Sequence, residues 1–167
     1  NFPEFNIRAY VTSNGKSGVY FLTLDAQSYI TCLYAPFAYS LPYKYAKCNL
    51  ERNNQNGFIW HSKRRSNGLS LRGQSFPKGP ILEAEKNSLE EFLFERYCLY
   101  VRHKGKTCRA YTYHEPWKYR VGDAELIENT LTDSYNLGIK NILKPDLVHL
   151  SEGVEVLTWK IEPIGDG

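Results

Sequence analysis

Polar side chains that could do chemistry recur at four places in this 167-residue chain. Asn6, Arg8 and Tyr10 alternate with Ile7, Ala9 and Val11, so an extended strand puts the three polar groups on one face. A guanidinium enclosed there needs an anion, either a ligand carboxylate or Glu4 or Glu95. On an open face the same residues are a solvated strand or a structural ion pair. Tyr43 and Lys44 follow Pro42 and, in a strand, point to opposite sides. Glu95-Arg96-Tyr97 follows a helix signal, where adjacent opposite charges either fix a helix–strand junction or present a second cation to a site. His114, before Glu115-Pro116-Trp117, can exchange a proton near neutral pH or sit in a turn plugged by Trp117. Tyr97 and Tyr100 fit a core aromatic with a polar tip.

Other chemistries lack their residues. There is no G-x-S-x-G and no phosphate-binding glycine loop; Gly15 and Gly18 belong to a hairpin. Cys32, Cys48, Cys98 and Cys108 form no C-x-x-C, and no two histidines stand at ligand spacing. No metal and no cofactor is expected. Lys63-Arg64-Arg65 with Trp60 could touch nucleic acid, but beside Ser66-Asn67-Gly68 it reads as a solvated hairpin tip.

The elements that must position these groups are mostly strands. Residues 5–12 and 19–24 form a hairpin through the turn residues 13–18. Asp25 is placed to cap a helix in which Ala26, Ile30, Leu33, Tyr34 and Phe37 recur at helical spacing. Pro36 predicts a kink or early end. Residues 43–50, 58–65 and 69–76 make an antiparallel meander, and 77–87 is a loop with two prolines. Ser88-Leu89-Glu90-Glu91 is a capping box opening a short helix to about Glu95, with Leu89, Phe92 and Leu93 inward. Residues 96–102 and 107–114 form a second hairpin. A strand at 123–129, a helical turn at 130–137 and short strands at 147–150 and 154–161 complete the pattern. This is an α+β chain, mainly antiparallel β with two short helices.

Four segments carry a resemblance: 2–11, 18–26, Leu41-Pro42-Tyr43-Lys44-Tyr45-Ala46, and 89–100 with its Phe-x-x-Glu-Arg-Tyr element. With His114-Glu115-Pro116-Trp117, they resemble the YqjF-like family of uncharacterised bacterial proteins, within the acetoacetate decarboxylase-like superfamily. The resemblance implies a closed or cone-shaped antiparallel β-barrel around a small-molecule cavity. It also implies that relatives carry further sequence upstream, so that residues 1–167 are a single barrel-like domain lacking a segment. In the decarboxylases of that superfamily the first lysine of a Pro-Lys-Lys sequence forms a Schiff base, its pKa lowered by its surroundings. Here Pro42 is followed by Tyr43, and only the neighbouring Lys44 is a lysine. Schiff-base decarboxylation is therefore not expected.

Net charge of +3 is too small to argue for nucleic acid by itself. No signal peptide and no apolar run of membrane length is present, and the chain reads as a reduced cytoplasmic protein with four free thiols. An unpaired strand edge near residues 5–12 would favour self-association, making a homo-oligomer an open expectation. The expected function is binding of a small carbonyl or carboxylate molecule by Glu4, Asn6, Arg8, Tyr43, Arg96, Tyr97 and His114. The alternatives are an enzyme on such substrates using acid–base side chains, and a nucleic-acid or protein interaction module.

Overall fold

A computed structural model describes residues 2–164. The elements run β1 (Glu4–Ser13), β2 (Lys16–Ala26), α1 (Tyr29–Tyr39), β3 (Tyr43–Arg52), β4 (Phe58–Arg64), β5 (Ser70–Glu83), α2 (Leu89–Phe94), β6 (Cys98–His103), β7 (Lys106–Tyr113), β8 (Lys118–Asn129), α3 (Thr130–Asp133), β9 (His149–Leu150), β10 (Leu157–Thr158) and β11 (Glu162–Pro163). The described residues hold three short helices, the two expected and, as α3, the expected helical turn after residue 130. The fold is otherwise mostly β, and none of its described helices is long and apolar enough to cross a membrane.

Strand β2 is the branch point of the sheet. One edge pairs with β1 through a tight turn in which Asn14 and Gly15 both have positive φ, as a type I′ turn requires. The other edge is shared. Leu24–Ala26 pairs in parallel with Tyr43–Tyr45 of β3, and Val19–Tyr20 pairs in parallel with Leu99–Tyr100 of β6. One wing continues antiparallel from β3 through β4, β5 and β8 to β9. The other runs from β6 to β7, which takes β10 and β11 on its far side. The described strands form an open, branched sheet and do not close the ring that the resemblance implies.

Helix α2 lies across part of that opening. The Tyr10 hydroxyl donates to the Leu93 carbonyl (3.0 Å), while Phe94 packs edge-on against Tyr119 and His149. It thus approaches β1 from the Tyr10 side, not from the Ile7–Ala9–Val11 side. Its Leu89 and Phe92 are largely exposed, contrary to their inward assignment. The core of the β6–β7 wing is apolar: Val19, Leu99, Val101, Cys108 and Ala110, with Tyr10 and Phe21 against it. The wing from β3 to β9 buries small residues instead, among them Ala46, Cys48, Ser62, Ser70 and Ser75.

Helix α1 differs most from its reading. Ser28, not Asp25, is the N-cap; its side chain accepts from the Thr31 N–H (3.2 Å). Pro36 does not end the helix, which runs on to Tyr39 and stops at Ser40 in a left-handed conformation. The face turned to the sheet is the small one, where Ala35 is buried and Cys32 half-buried. Ile30, Leu33 and Phe37 are 82%, 80% and 85% exposed. Ala26, assigned to the helix, is a buried strand residue. Further along, the expected loop at 77–87 is largely strand: β5 continues past a register shift to Glu83, opposite Lys118. The helical turn after residue 130 is confined to α3, and the last strands are only two residues each. All four cysteines are free.

Candidate functional site

The polar face of β1 meets α2 and the start of β3. A bulge between Ile7 and Arg8 changes the register against β2 at this point. Arg8 donates to the Tyr10 hydroxyl (3.1 Å) and to the Leu93 carbonyl (3.5 Å). The Tyr10 ring lies against Phe92, and Arg96 stacks over Phe92 with its guanidinium carbon 4.2 Å from the ring centroid. Both guanidinium carbons lie within 6 Å of the Tyr10 centroid, at 5.5 Å for Arg8 and 5.9 Å for Arg96. Among the described residues neither arginine forms a salt bridge. Arg96 spends one N–H on the Glu95 carbonyl (3.1 Å), and its Nε–H is buried with no partner.

Glu4 does not neutralise Arg8. One of its oxygens accepts from the Tyr43 hydroxyl (2.6 Å) and the other receives a long bond from Asn6 (3.5 Å). Burial, and then this bond to a carboxylate, push the Tyr43 phenol well above its ordinary pKa. Tyr43 is therefore a neutral donor, with no phenolate nucleophile at physiological pH. Lys44 points away and is exposed, as the alternation from Pro42 requires. Arg8 itself is exposed, which corrects its reading as an enclosed cation; with the sheet open, this face borders solvent.

Tyr97 and His114 form a second cluster. Their rings stack at 4.7 Å, and Trp117 abuts His114 edge-on at 5.8 Å. Glu95 ties the group together: one oxygen accepts from the Trp117 N–H (3.1 Å), the other from the Tyr97 hydroxyl. Burial and the Glu95 contact push Tyr97 up to about 12. His114 is buried, and its Nδ1–H donates a hydrogen bond to the Glu115 carbonyl (2.8 Å). That bond sets the tautomer and fixes the ring as part of the turn. The seven expected residues thus divide into a cationic cradle (Arg8 and Arg96 around Tyr10), a hydrogen-bonded group (Glu4, Asn6, Tyr43) and a packed aromatic cluster (Tyr97, His114).

The most buried polar constellation was not among them. Asp25 and Arg64 are 1% and 6% exposed and form a two-pronged ion pair, Arg64 Nε at 2.9 and 3.0 Å from the two carboxylate oxygens and Nη2 at 2.8 Å from one. Thr23 and Tyr135 complete it. Burial opposes the charge on Arg64, but its bonds to Asp25 and Tyr135 hold the guanidinium above its ordinary range. The basic tip at 63–65 is therefore not a uniform patch: Lys63 and Arg65 are exposed and Arg64 is core. Strand alternation from buried Ser62 was the available signal.

A model of uncharacterized conserved proteins, DUF2071, matches residues 1–155. The chain belongs to that family. A curated relative, the uncharacterized protein YqjF of Bacillus subtilis (strain 168), is 34% identical over 161 residues, 96% of this chain. The chain spans 65% of that relative's length. Among solved structures, the acetoacetate decarboxylase of Legionella pneumophila subsp. pneumophila str. Philadelphia 1 superposes with a TM-score of 0.70. It covers 99% of this chain and 68% of its own at 16% identity, a likeness of fold.

Proposed function

We propose that the protein binds a small carboxylate- or carbonyl-bearing molecule on the face where Arg8 and Arg96 flank Tyr10, and that it does so without Schiff-base chemistry. The observation that carries this reading is the pair of guanidinium groups beside one ring, neither of them matched by a carboxylate among the described residues. Two unmatched cations, one with a buried and unpartnered N–H, favour an anion that accepts several hydrogen bonds. Asn6, two residues from Arg8 on β1, and Tyr43, which shares Glu4 with it, are neutral donors further along the strand, for a carbonyl elsewhere on the ligand. The fold is that of a decarboxylase acting on a β-keto acid, which supports the ligand class by analogy alone. Tyr43 follows Pro42 where the resemblance places an amine, and a phenol has no nitrogen with which to form an imine.

The test has two arms. Thermal-shift and calorimetric titration with small carboxylates and ketones, acetoacetate included, should show binding that Arg8→Ala and Arg96→Ala each weaken about ten- to hundredfold. Borohydride reduction in the presence of acetoacetate should leave the intact mass unchanged. A stoichiometric adduct on Lys44, or ligand binding indifferent to both arginine substitutions, overturns the proposal. The Tyr43–Glu4 hydrogen bond favours a second reading, in which that pair donates a proton to a bound carbonyl. It requires turnover that is lost in Tyr43→Phe while binding persists.

A further inference from the structure

A cleft of about 660 Å³ lies away from the cationic cradle. It opens between the β3–β4 turn, the outer part of β5, the start of β8 and residues 150–154, and it contains none of the residues discussed above as ligand contacts. Its size is that of a small-molecule site. Phe58, Pro77, Tyr119 and Leu150 give it apolar walls, while Arg52, Lys118 and Arg120 give it three cations.

The walls are held in place by local features of the sequence. At Gly122 an added Cβ would lie 2.2 Å from Leu150, so the glycine is what lets Leu150 seat directly on β8. Ser151 then donates to the Lys118 carbonyl (2.6 Å) and accepts from the Gly153 N–H (3.1 Å), fixing the segment that closes one side. Arg120 donates to the Gly79 carbonyl (2.8 Å), which ties β8 to the bend in β5. Arg52 lies over the Phe58 ring at 5.1 Å. Two acids also line the cleft, and both are engaged. Glu115 accepts from the Tyr113 hydroxyl (2.6 Å), and Glu152 pairs with Arg52. Lys118 in turn faces Glu83 at 3.8 Å in a second exposed pair, so among the described residues only Arg120 of the three cations has no carboxylate partner, and all three border an apolar floor. The Arg52–Glu152 pair is exposed on both sides, so it contributes little and exchanges readily for another carboxylate.

We propose that this cleft is a second ligand site, for an organic anion with an aromatic or branched apolar body. The body packs against Phe58, Tyr119 and Pro77. The carboxylate takes the Arg52 guanidinium in place of Glu152, with the Lys118 ammonium beside it. Phe58 keeps Arg52 stacked, so little freedom is lost when the anion arrives.

The test uses 2-naphthoate as probe and naphthalene-2-methanol as its neutral counterpart, titrated calorimetrically into the 167-residue chain and variants. Naphthoate should bind more tightly than the alcohol. Arg52→Ala should weaken it about tenfold or more, and Glu152→Gln, which removes the internal competitor, should tighten it several-fold. Arg8→Ala, in the other site, should leave it unchanged. The proposal is overturned if naphthoate does not bind, or if Arg52→Ala has no effect. It is equally overturned if Glu152→Gln weakens binding as Arg52→Ala does. Loss of naphthoate binding in Arg8→Ala would move the ligand to the cradle and remove the second site.

Discussion

Replacing Arg64 by Met isolates the Asp25 carboxylate in the interior. Asp25 is 1% exposed, and after the substitution its remaining side-chain partner is the Thr23 hydroxyl at 3.3 Å. Three short N–H···O contacts disappear together. Removing one end of a buried pair costs about 3–5 kcal/mol, because the other charge loses its compensation without regaining water. Domain stabilities lie in the range of about 5–15 kcal/mol, so the loss is a large share. With a urea m-value of roughly 2 kcal/mol/M, the unfolding midpoint should fall by about 2 M. The double variant Asp25→Leu/Arg64→Met removes both charges and should recover most of that loss, since a buried pair and an apolar substitute of similar volume are often equivalent. Urea unfolding followed by tryptophan fluorescence reads both. A single-variant loss below about 1 kcal/mol would show that water reaches Asp25. A double variant as damaged as the sum of its singles would show that the two residues act separately, and the account of the wing's core would be wrong.

Tyr43 and Tyr97 should ionise later than free tyrosine. A raised phenol pKa stabilises the fold fully below the unfolded value of about 10 and is lost as pH rises beyond it, so stability should decline from about pH 10 upward. Tyr43→Phe should remove a late component from the 295 nm titration; an unchanged curve would refute the burial argument. Gly57→Ala should destabilise by about 1–3 kcal/mol or more, because the added Cβ would sit 1.8 Å from the Ser75 carbonyl oxygen and backbone cannot yield as a side chain does. Tyr29, Ile30, Leu33, Tyr34 and Phe37 are all at least 60% exposed on α1. At about 200 Å² per large side chain they present roughly 700 Å² of apolar surface, beyond what an ordinary monomer shows. The 167-residue chain should therefore self-associate with rising concentration, and Ile30→Glu/Phe37→Glu should return it to monomer; light scattering showing a monodisperse monomer without the substitutions would contradict this.

Where one face of an element is buried and its side chains alternate in size or polarity, the sequence is readable. The β1–β2 hairpin, the β3–β4–β5 meander and the capping box at Ser88 are all of this kind. The Ser88 Oγ accepts the Glu91 N–H (3.1 Å) and the Glu91 carboxylate reaches back past the cap to the Asn87 N–H, one residue before it. Helix α1 defeats that logic because both its faces are apolar. Large residues at 29, 30, 33, 34 and 37 outvote small ones at 32 and 35, yet the parallel β2–β3 pair leaves room only for Cys and Ala beneath the crossover. Arg64 is lost for the opposite reason. A residue type that is nearly always exposed was averaged with Lys63 and Arg65, although strand parity places it with Ser62. Its partner, Asp25, lies 39 residues away, and no local pattern carries that distance. The same limit governs the site. Strand alternation alone puts Asn6, Arg8 and Tyr10 together, but that Arg96 shares the Tyr10 ring depends on α2 crossing the open side of the sheet. Pairwise meetings across a branched sheet are set by its topology, and the cradle and the Arg52 cleft are both meetings of that kind.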